Sequence, residues 1–237
     1  MEQYAVEMID LNNIKNKDIT VSVPGSKSIT NRALLLAVLA RGKSVLTGVL
    51  FSDDSRYFMQ CVQALGFEVF ADEGAGTVTV VGDAEKIPKQ KAKIYVGSAG
   101  TAARFLTALL GLSEGEYFLD ASEQMKKRPM APLLSGLREL GAEIICGGQE
   151  GHFPFTVKSA GIKKREISVN IDDSSQFLSA LLISCCRGGA DFTIHVKGSH
   201  GMAYIDMTSR MMGEFGVRAL CSKENGEISY FVPGGQS

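Results

Sequence analysis

The chain has 237 residues, 45% of them apolar and 22% charged, the balance of an ordinary water-soluble globular protein with one large domain or two small ones. Its formal net charge is −1, which excludes a global field directed at nucleic acid or an anionic membrane, so any recognition of anions must come from local clusters. The longest apolar run, residues 33–40, falls far short of the roughly 20 needed to cross a bilayer.

MEQYAVEMIDLNN at the start lacks a basic stretch followed by an apolar one, so no secretory signal is expected. The five cysteines are odd in number and contain no CxxC pair, which fits reduced thiols in a cytoplasmic protein. His152, His195 and His200 show no zinc-type spacing.

Taken in chain order, the elements repeat. VPGSKSITNR (23–32) runs into the buried-looking helix ALLLAVLA, followed by the strand SVLTGVL, the helix DDSRYFMQCVQALG and the strand GTVTVVG. GSAGTAAR (97–104) opens a second helix, followed by EYFLDA, PMAPLLSGLRELG and FPFTVK. DDSSQF (172–177) opens a third, followed by DFTIHV and YIDMTSRMMGEFG. Gly66, Gly141 and Gly216 end the second helices at spacings of 75 and 75, as left-handed caps would. Arg32, Arg104 and Gln176 in the first helices are spaced by 72 and 72. Two landmarks with nearly one period identify a threefold α/β repeat, with units near 13–90, 91–165 and 166–237. FVPGGQS (231–237) reads as a ragged end.

Each helix start has a structural reading and a chemical one. In VPGSKSITNR a serine cap with two solvated cations competes with an anion cradle of Lys27, Ser28 and Arg32. A nucleotide phosphate loop is excluded there, because Ser26 stands where GxxxxGK[ST] needs glycine. Gly100 lets a ligand approach the backbone of the second helix start, where a tight turn would also need glycine. Ser174, Ser175 and Gln176 offer uncharged donors at the third, beside the capping acids Asp172 and Asp173. Counting twelve back from the capping glycines reaches Asp54, Pro129 and Tyr204, so Arg128 and Tyr204 are expected to begin equivalent second helices. Asp53 and Asp54 read as capping acids, and the methionines near 202–212 as core. In a threefold repeat, equivalent helix starts converge on one side, which would gather these donors, with Arg104, into one polyanion site.

PGSKSITNRALLLAVLARG, SDDSRYFMQCVQALG, GSAGTAARFL, MKKRPMAPLLSGLRELGAEI, DSSQFLSALL and YIDMT together resemble the 5-enolpyruvylshikimate-3-phosphate (EPSP) synthase family, in family order over nearly the whole chain. The related UDP-N-acetylglucosamine enolpyruvyl transferases carry a Lys-Asn pair where Lys27-Ser28 stand and fit less well. A stand-alone anion-binding or regulatory module of the same fold is the non-enzymatic alternative.

The resemblance implies an inside-out α/β barrel domain of three βαβαββ-like units. It implies transfer of the enolpyruvyl group of phosphoenolpyruvate to the 5-hydroxyl of shikimate 3-phosphate, without metal or organic cofactor. By position, Lys27 would be catalytic and touch both substrates, and Ser28 and Arg32 would hold shikimate 3-phosphate. Gly100 and Arg128 would meet phosphoenolpyruvate, and Gly100 resembles the glyphosate-sensitive form. Ser174 and Ser175 would bind the shikimate phosphate, Gln176 would lie between the substrates, and Tyr204 would flank the shikimate ring. Two departures stand out: Ser98 occupies the place of the family's usual asparagine, and the segment between Gly198 and Tyr204 leaves the role of Ser199 open. The family has about twice this length, so the resemblance implies an N-terminal half lacking its C-terminal domain. Residues 1–12 would pack with that domain, while 13–237 form the three-unit domain.

Overall fold

A computed structural model describes residues 23–236 apart from Gly188 and Asn225. The expected 1–12 segment lies outside the described residues.

In chain order the elements are α1 (Lys27–Leu39), β1 (Gly42–Thr47), α2 (Asp53–Ala64), β2 (Glu68–Asp72), β3 (Thr77–Gly82), then β4 (Lys91–Tyr95), α3 (Gly100–Gly111), β5 (Glu114–Asp120), α4 (Glu123–Lys126), α5 (Ala131–Glu139), β6 (Glu143–Cys146) and β7 (Phe155–Ala160). The last unit comprises β8 (Glu166–Asn170), α6 (Gln176–Cys185), β9 (Phe192–Lys197), α7 (Met202–Glu214), β10 (Leu220–Glu224) and β11 (Glu227–Val232). The second and third units each form a four-stranded sheet, ordered β4-β5-β7-β6 and β8-β9-β11-β10. The first pair in each is parallel and the others antiparallel. β1-β3-β2 repeats the last three positions of that order. The α/β triplication is therefore topological as well as sequential.

Helices lie inside and sheets outside. Every residue of α3 is buried, as is every residue of α6 from Phe177 to Cys185. Such all-round apolar helices require protein on every side. α1, α3 and α6 pack against one another, and the sheets wrap around them. The strands alternate, as in β8, where Ile167 and Val169 are buried and their neighbours exposed, so each sheet turns one face to solvent. Second helices bridge units: α2 packs on α3, α5 on β8, and α7 on α1.

The recurring glycines close the second helices identically. Gly66, Gly141 and Gly216 have φ of +94°, +104° and +80°. In α2 the amide of Phe67 reaches the Val62 carbonyl at 3.2 Å, in α5 Ala142 reaches Leu137 at 3.0 Å, and in α7 Val217 reaches Met212 at 3.0 Å. These are Schellman closures, and the residue after each glycine is buried, stapling the helix end to the core.

Residues 231–236, the described part of FVPGGQS, are not a loose end. Phe231 and Val232 belong to β11 and pair with Thr193 and Phe192 of β9. Val232 is fully buried, and the Gln236 side chain accepts a hydrogen bond from the Arg218 amide at 2.8 Å.

Candidate functional site

The helix starts open onto one cavity of about 410 Å³, and all nine expected residues line it. α1 contributes Lys27, Ser28 and Arg32; the approach to α3 contributes Gly100. Ser174, Ser175 and Gln176 come from the start of α6, Tyr204 from α7, and Arg128 from the link between α4 and α5. Side chains separated by up to 177 positions in sequence thus surround a space of small-molecule size.

Two of the expected local placements are corrected. Arg128 is not at the start of a helix: α4 ends at Lys126, and α5 starts only at Ala131, with Met130 at its N-cap. The short helix α4, absent from the sequence reading, takes up the residues before Arg128, and Pro132 rather than Pro129 occupies the first turn of α5. Tyr204 is the third residue of α7, whose N-cap is Gly201 in the left-handed region. Both side chains still line the cavity.

The helix ends differ in how their amides are occupied. Ser26 caps α1 by accepting from the Ile29 amide, and Ser52 and Ser55 form a reciprocal capping box on α2. The residue before α3 is Ala99, with no side-chain cap, and α6 also lacks one from its N-cap Ser175. Ser174 Oγ accepts from the Gln176 amide at 3.2 Å. The α3 start therefore lies at the cavity with a positive dipole end and first-turn amides that no side-chain cap occupies.

The cations are the decisive feature. None of the ion pairs among the described residues involves Arg32, Arg104 or Arg128. Arg32 and Arg104 are each only 2% exposed. Burial lowers each guanidinium from the ordinary arginine value to about 10, and the neighbouring Arg128 charge contributes to the lowering at Arg104. Both stay charged at neutral pH. Buried cations without carboxylates are costly unless an anion completes them.

Arg32 stands 5.6 Å from the centre of the Phe105 ring, and Arg104 stands 5.5 Å from that of Phe177. Gln176 holds the third place of this series, donating from Nε2 to Thr101 Oγ1 at 3.2 Å. Its buried Oε1 has no hydrogen-bond partner among the described residues, which leaves it an unused acceptor. The 72-residue period of the sequence thus reappears as successive positions around the helix cluster. Arg104 sits deeper than expected, donating to the carbonyls of Gly100 at 3.0 Å and Pro129 at 3.4 Å.

Lys27 is half-exposed and paired with Asp54 at 3.4 Å. Asp54 is therefore more than a first-turn acid, since it lines the cavity with Ser98, Thr101, Asp173 and His200. A signal for Asp54 existed, because it stands twelve residues before Gly66, the offset that singled out Tyr204. Nothing local in the sequence marked His200, which the β9–α7 loop brings in. The whole arrangement can bind and orient a multiply charged anion bearing hydroxyl groups.

The family model for "EPSP synthase (3-phosphoshikimate 1-carboxyvinyltransferase)" matches residues 11–236. The 3-phosphoshikimate 1-carboxyvinyltransferase of Trichormus variabilis is 42% identical over 209 residues, covering 88% of this chain and 49% of that protein. The enzyme of that name from Opitutus terrae is 44% identical over 200 residues, covering 84% and 46%. Among solved structures, EPSP synthase from Acinetobacter baumannii superimposes with a TM-score of 0.72 at 24% identity, covering 91% of this chain and 46% of that one. The chain spans about half the length of the curated relatives it matches.

Proposed function

Because this chain belongs to the EPSP synthase family, we propose that it supplies the shikimate 3-phosphate-binding half of a site that transfers the enolpyruvyl group of phosphoenolpyruvate. The 5-hydroxyl oxygen of shikimate 3-phosphate bonds to C2 of phosphoenolpyruvate while C3 takes a proton, giving a tetrahedral intermediate. Loss of a proton from C3 and departure of phosphate then leave the enolpyruvyl ether. Residues beyond this chain, in a C-terminal domain of similar size, complete the proton transfers.

The observation that carries this reading is that Arg32 and Arg128 line one cavity, with Arg104 buried behind Gly100, and that none of the three has a carboxylate partner among the described residues. Shikimate 3-phosphate brings a phosphate and a carboxylate, and phosphoenolpyruvate another of each. Arg32 and Ser28 bind shikimate 3-phosphate, and Ser174 and Ser175 hold its phosphate through hydroxyl donors. Arg128 and the amide at Gly100 meet phosphoenolpyruvate. Lys27, released from Asp54, reaches both ligands and stabilises charge as the carbon–oxygen bond forms. Gln176 Oε1 accepts from a ligand hydroxyl, and the Tyr204 ring flanks the shikimate ring. Donors fixed before the ligand arrives lower the cost of organising charge in the reacting complex.

Calorimetric titration of the chain with shikimate 3-phosphate tests the half-site. Heat of binding that disappears in Arg32→Ala is expected; absence of heat from the unaltered chain would remove the reading. Mixing the chain with a separately produced C-terminal half should restore phosphate release from phosphoenolpyruvate.

A further inference from the structure

Arg32 presents a physical question that its proposed role leaves unanswered: what keeps a buried guanidinium charged and aimed without neutralising it? Its Nε donates to Thr208 Oγ1 at 2.7 Å. Its Nη2 donates to Ser179 Oγ and to the Tyr204 carbonyl, each at 3.3 Å, and Nη1 donates to the Ser28 carbonyl at 2.9 Å. Thr208 Oγ1 lies 2.9 Å from Ser179 Oγ and donates to the Tyr204 carbonyl at 2.8 Å. Thr208 and Ser179 are both fully buried.

Every acceptor in this set is neutral. Hydroxyls and carbonyls satisfy guanidinium N–H groups while leaving the positive charge in place, whereas a carboxylate at the same point would cancel it. Four contacts use at most four of the five N–H donors, so a hydrogen on Nη1 remains for a ligand. The rings of Phe105 at 5.6 Å and Tyr204 at 5.9 Å add attraction without counter-charge. The set also crosses units: Arg32 belongs to α1, Ser179 to α6, and Thr208 lies one turn beyond Tyr204 on α7. One side chain therefore registers three helices that each deliver a residue to the cavity.

We infer that Thr208 and Ser179 are positioning residues, which hold Arg32 in a single orientation and leave its charge uncompensated for the anionic ligand. The inference rests on the reading of Arg32 given above for its consequence in binding, but its geometric part stands separately. Thr208 supplies the stronger hold, since its contact is the shortest and its hydroxyl also fixes the α7 backbone at Tyr204. Neither residue touches the ligand in this scheme; both act through Arg32.

Two measurements on the full 237-residue chain separate the parts. The first is the arginine Nε–H signal of Arg32 in nitrogen-15 spectra, assigned by its loss in Arg32→Lys. It should be resolved and slow to exchange, persist in Thr208→Ser, and broaden into solvent exchange in Thr208→Val. The second is calorimetric affinity for shikimate 3-phosphate: Thr208→Val should weaken binding about tenfold, in line with loss of a hydrogen bond to a charged group, and Thr208→Ser should retain it. In the Arg32→Lys background, Thr208→Val should add no further loss. Ser179→Ala, which removes one of the two Nη2 contacts and the Ser179–Thr208 hydroxyl contact but leaves the Nε bond to Thr208, serves as the second variant if Thr208→Val does not fold, with a smaller loss in the same direction. An unchanged Nε–H signal in Thr208→Val, or an equal affinity loss in both backgrounds, overturns the inference. If the unaltered chain binds no shikimate 3-phosphate while the Nε–H signal depends on Thr208, the functional reading falls and the positioning role stands.

Discussion

Gly100 lies so close to Arg128 that a Cβ built on the glycine would collide with the Arg128 guanidinium and approach Arg104 Nη1 to 2.9 Å. Two cations are packed against a backbone that has no side chain to separate them from the cavity. Gly100 is needed here for clearance, since its φ is not among the positive values.

Gly100→Ala should therefore move Arg128, a flexible and half-free side chain, rather than the backbone. Stability should change by less than about 1 kcal/mol, because the obstructing atoms can swing away. Binding at the Arg128 end should fall about tenfold or more, as loss of a hydrogen bond to a charged group, about 1.5–3 kcal/mol, would give. The check is a thermal melt alongside the KM for phosphoenolpyruvate after reconstitution with the C-terminal half. A raised KM with an unaltered melt is expected.

Gly216 isolates the conformational requirement of the helix ends. Its φ is +80° and an added Cβ would meet nothing within 4 Å, so no steric contact confuses the measurement. Gly216→Ala should destabilise by about 1 kcal/mol, the cost of placing an L-residue in the left-handed region, and Gly216→Asn by less. Urea midpoints at constant slope read this directly. At Gly141, where the Cβ would also press on the Lys163 side chain, Ala should cost more.

Arg32 and Arg104 set the pH behaviour. Burial holds both below the ordinary arginine value, at about 10. A base whose folded value is depressed binds fewer protons folded than unfolded between those two values. Stability contributed by the pair therefore rises as pH climbs from about 10 towards the ordinary arginine value, and the cost of keeping both charged is fully present below that window. Affinity for a permanently charged dianion should be level between about pH 7.5 and 9 and decline only above about 10, as these guanidinium groups begin to discharge. Titrations at stepped pH test this; a midpoint near 8 would assign the charge to another group.

Asp54 pairs with Lys27 across 3.4 Å and, under the proposed function, competes with the ligand for it. Asp54→Asn should tighten binding of shikimate 3-phosphate about threefold at low salt, an effect that fades by about 1 M as screening shortens to a few ångströms. Calorimetry at two ionic strengths distinguishes this from a change in packing, which salt would leave unaltered.

The threefold unit was legible in the chain because each copy must solve the same local problem. A helix buried all round needs an apolar composition, and its partner needs a residue tolerant of positive φ at its end. Gly66, Gly141 and Gly216 follow from that alone, as does the grouping of donors at helix starts. The placement of Arg128 was not legible: proline-based reasoning put it at the start of a helix, but α4 takes the preceding residues and α5 begins later. Arg104 likewise looked like a rim donor until α3 was seen to be buried along its whole length. Such outcomes depend on how units pack, which no local window contains.

Sequence by itself determined the triplication, the buried helices, the capping glycines and nine of the residues that line the cavity, all consequences of periodicity and residue chemistry. Tertiary structure alone decided that Arg32 is held by Thr208 and Ser179, that Lys27 faces Asp54, and that Gln176 keeps a bare acceptor. The Arg32 pairings join α1 to α6 and α7 across units, while Lys27 and Asp54 join α1 to α2 within one, and only the closing of three units around a common helix cluster brings the Arg32 partners within hydrogen-bonding reach.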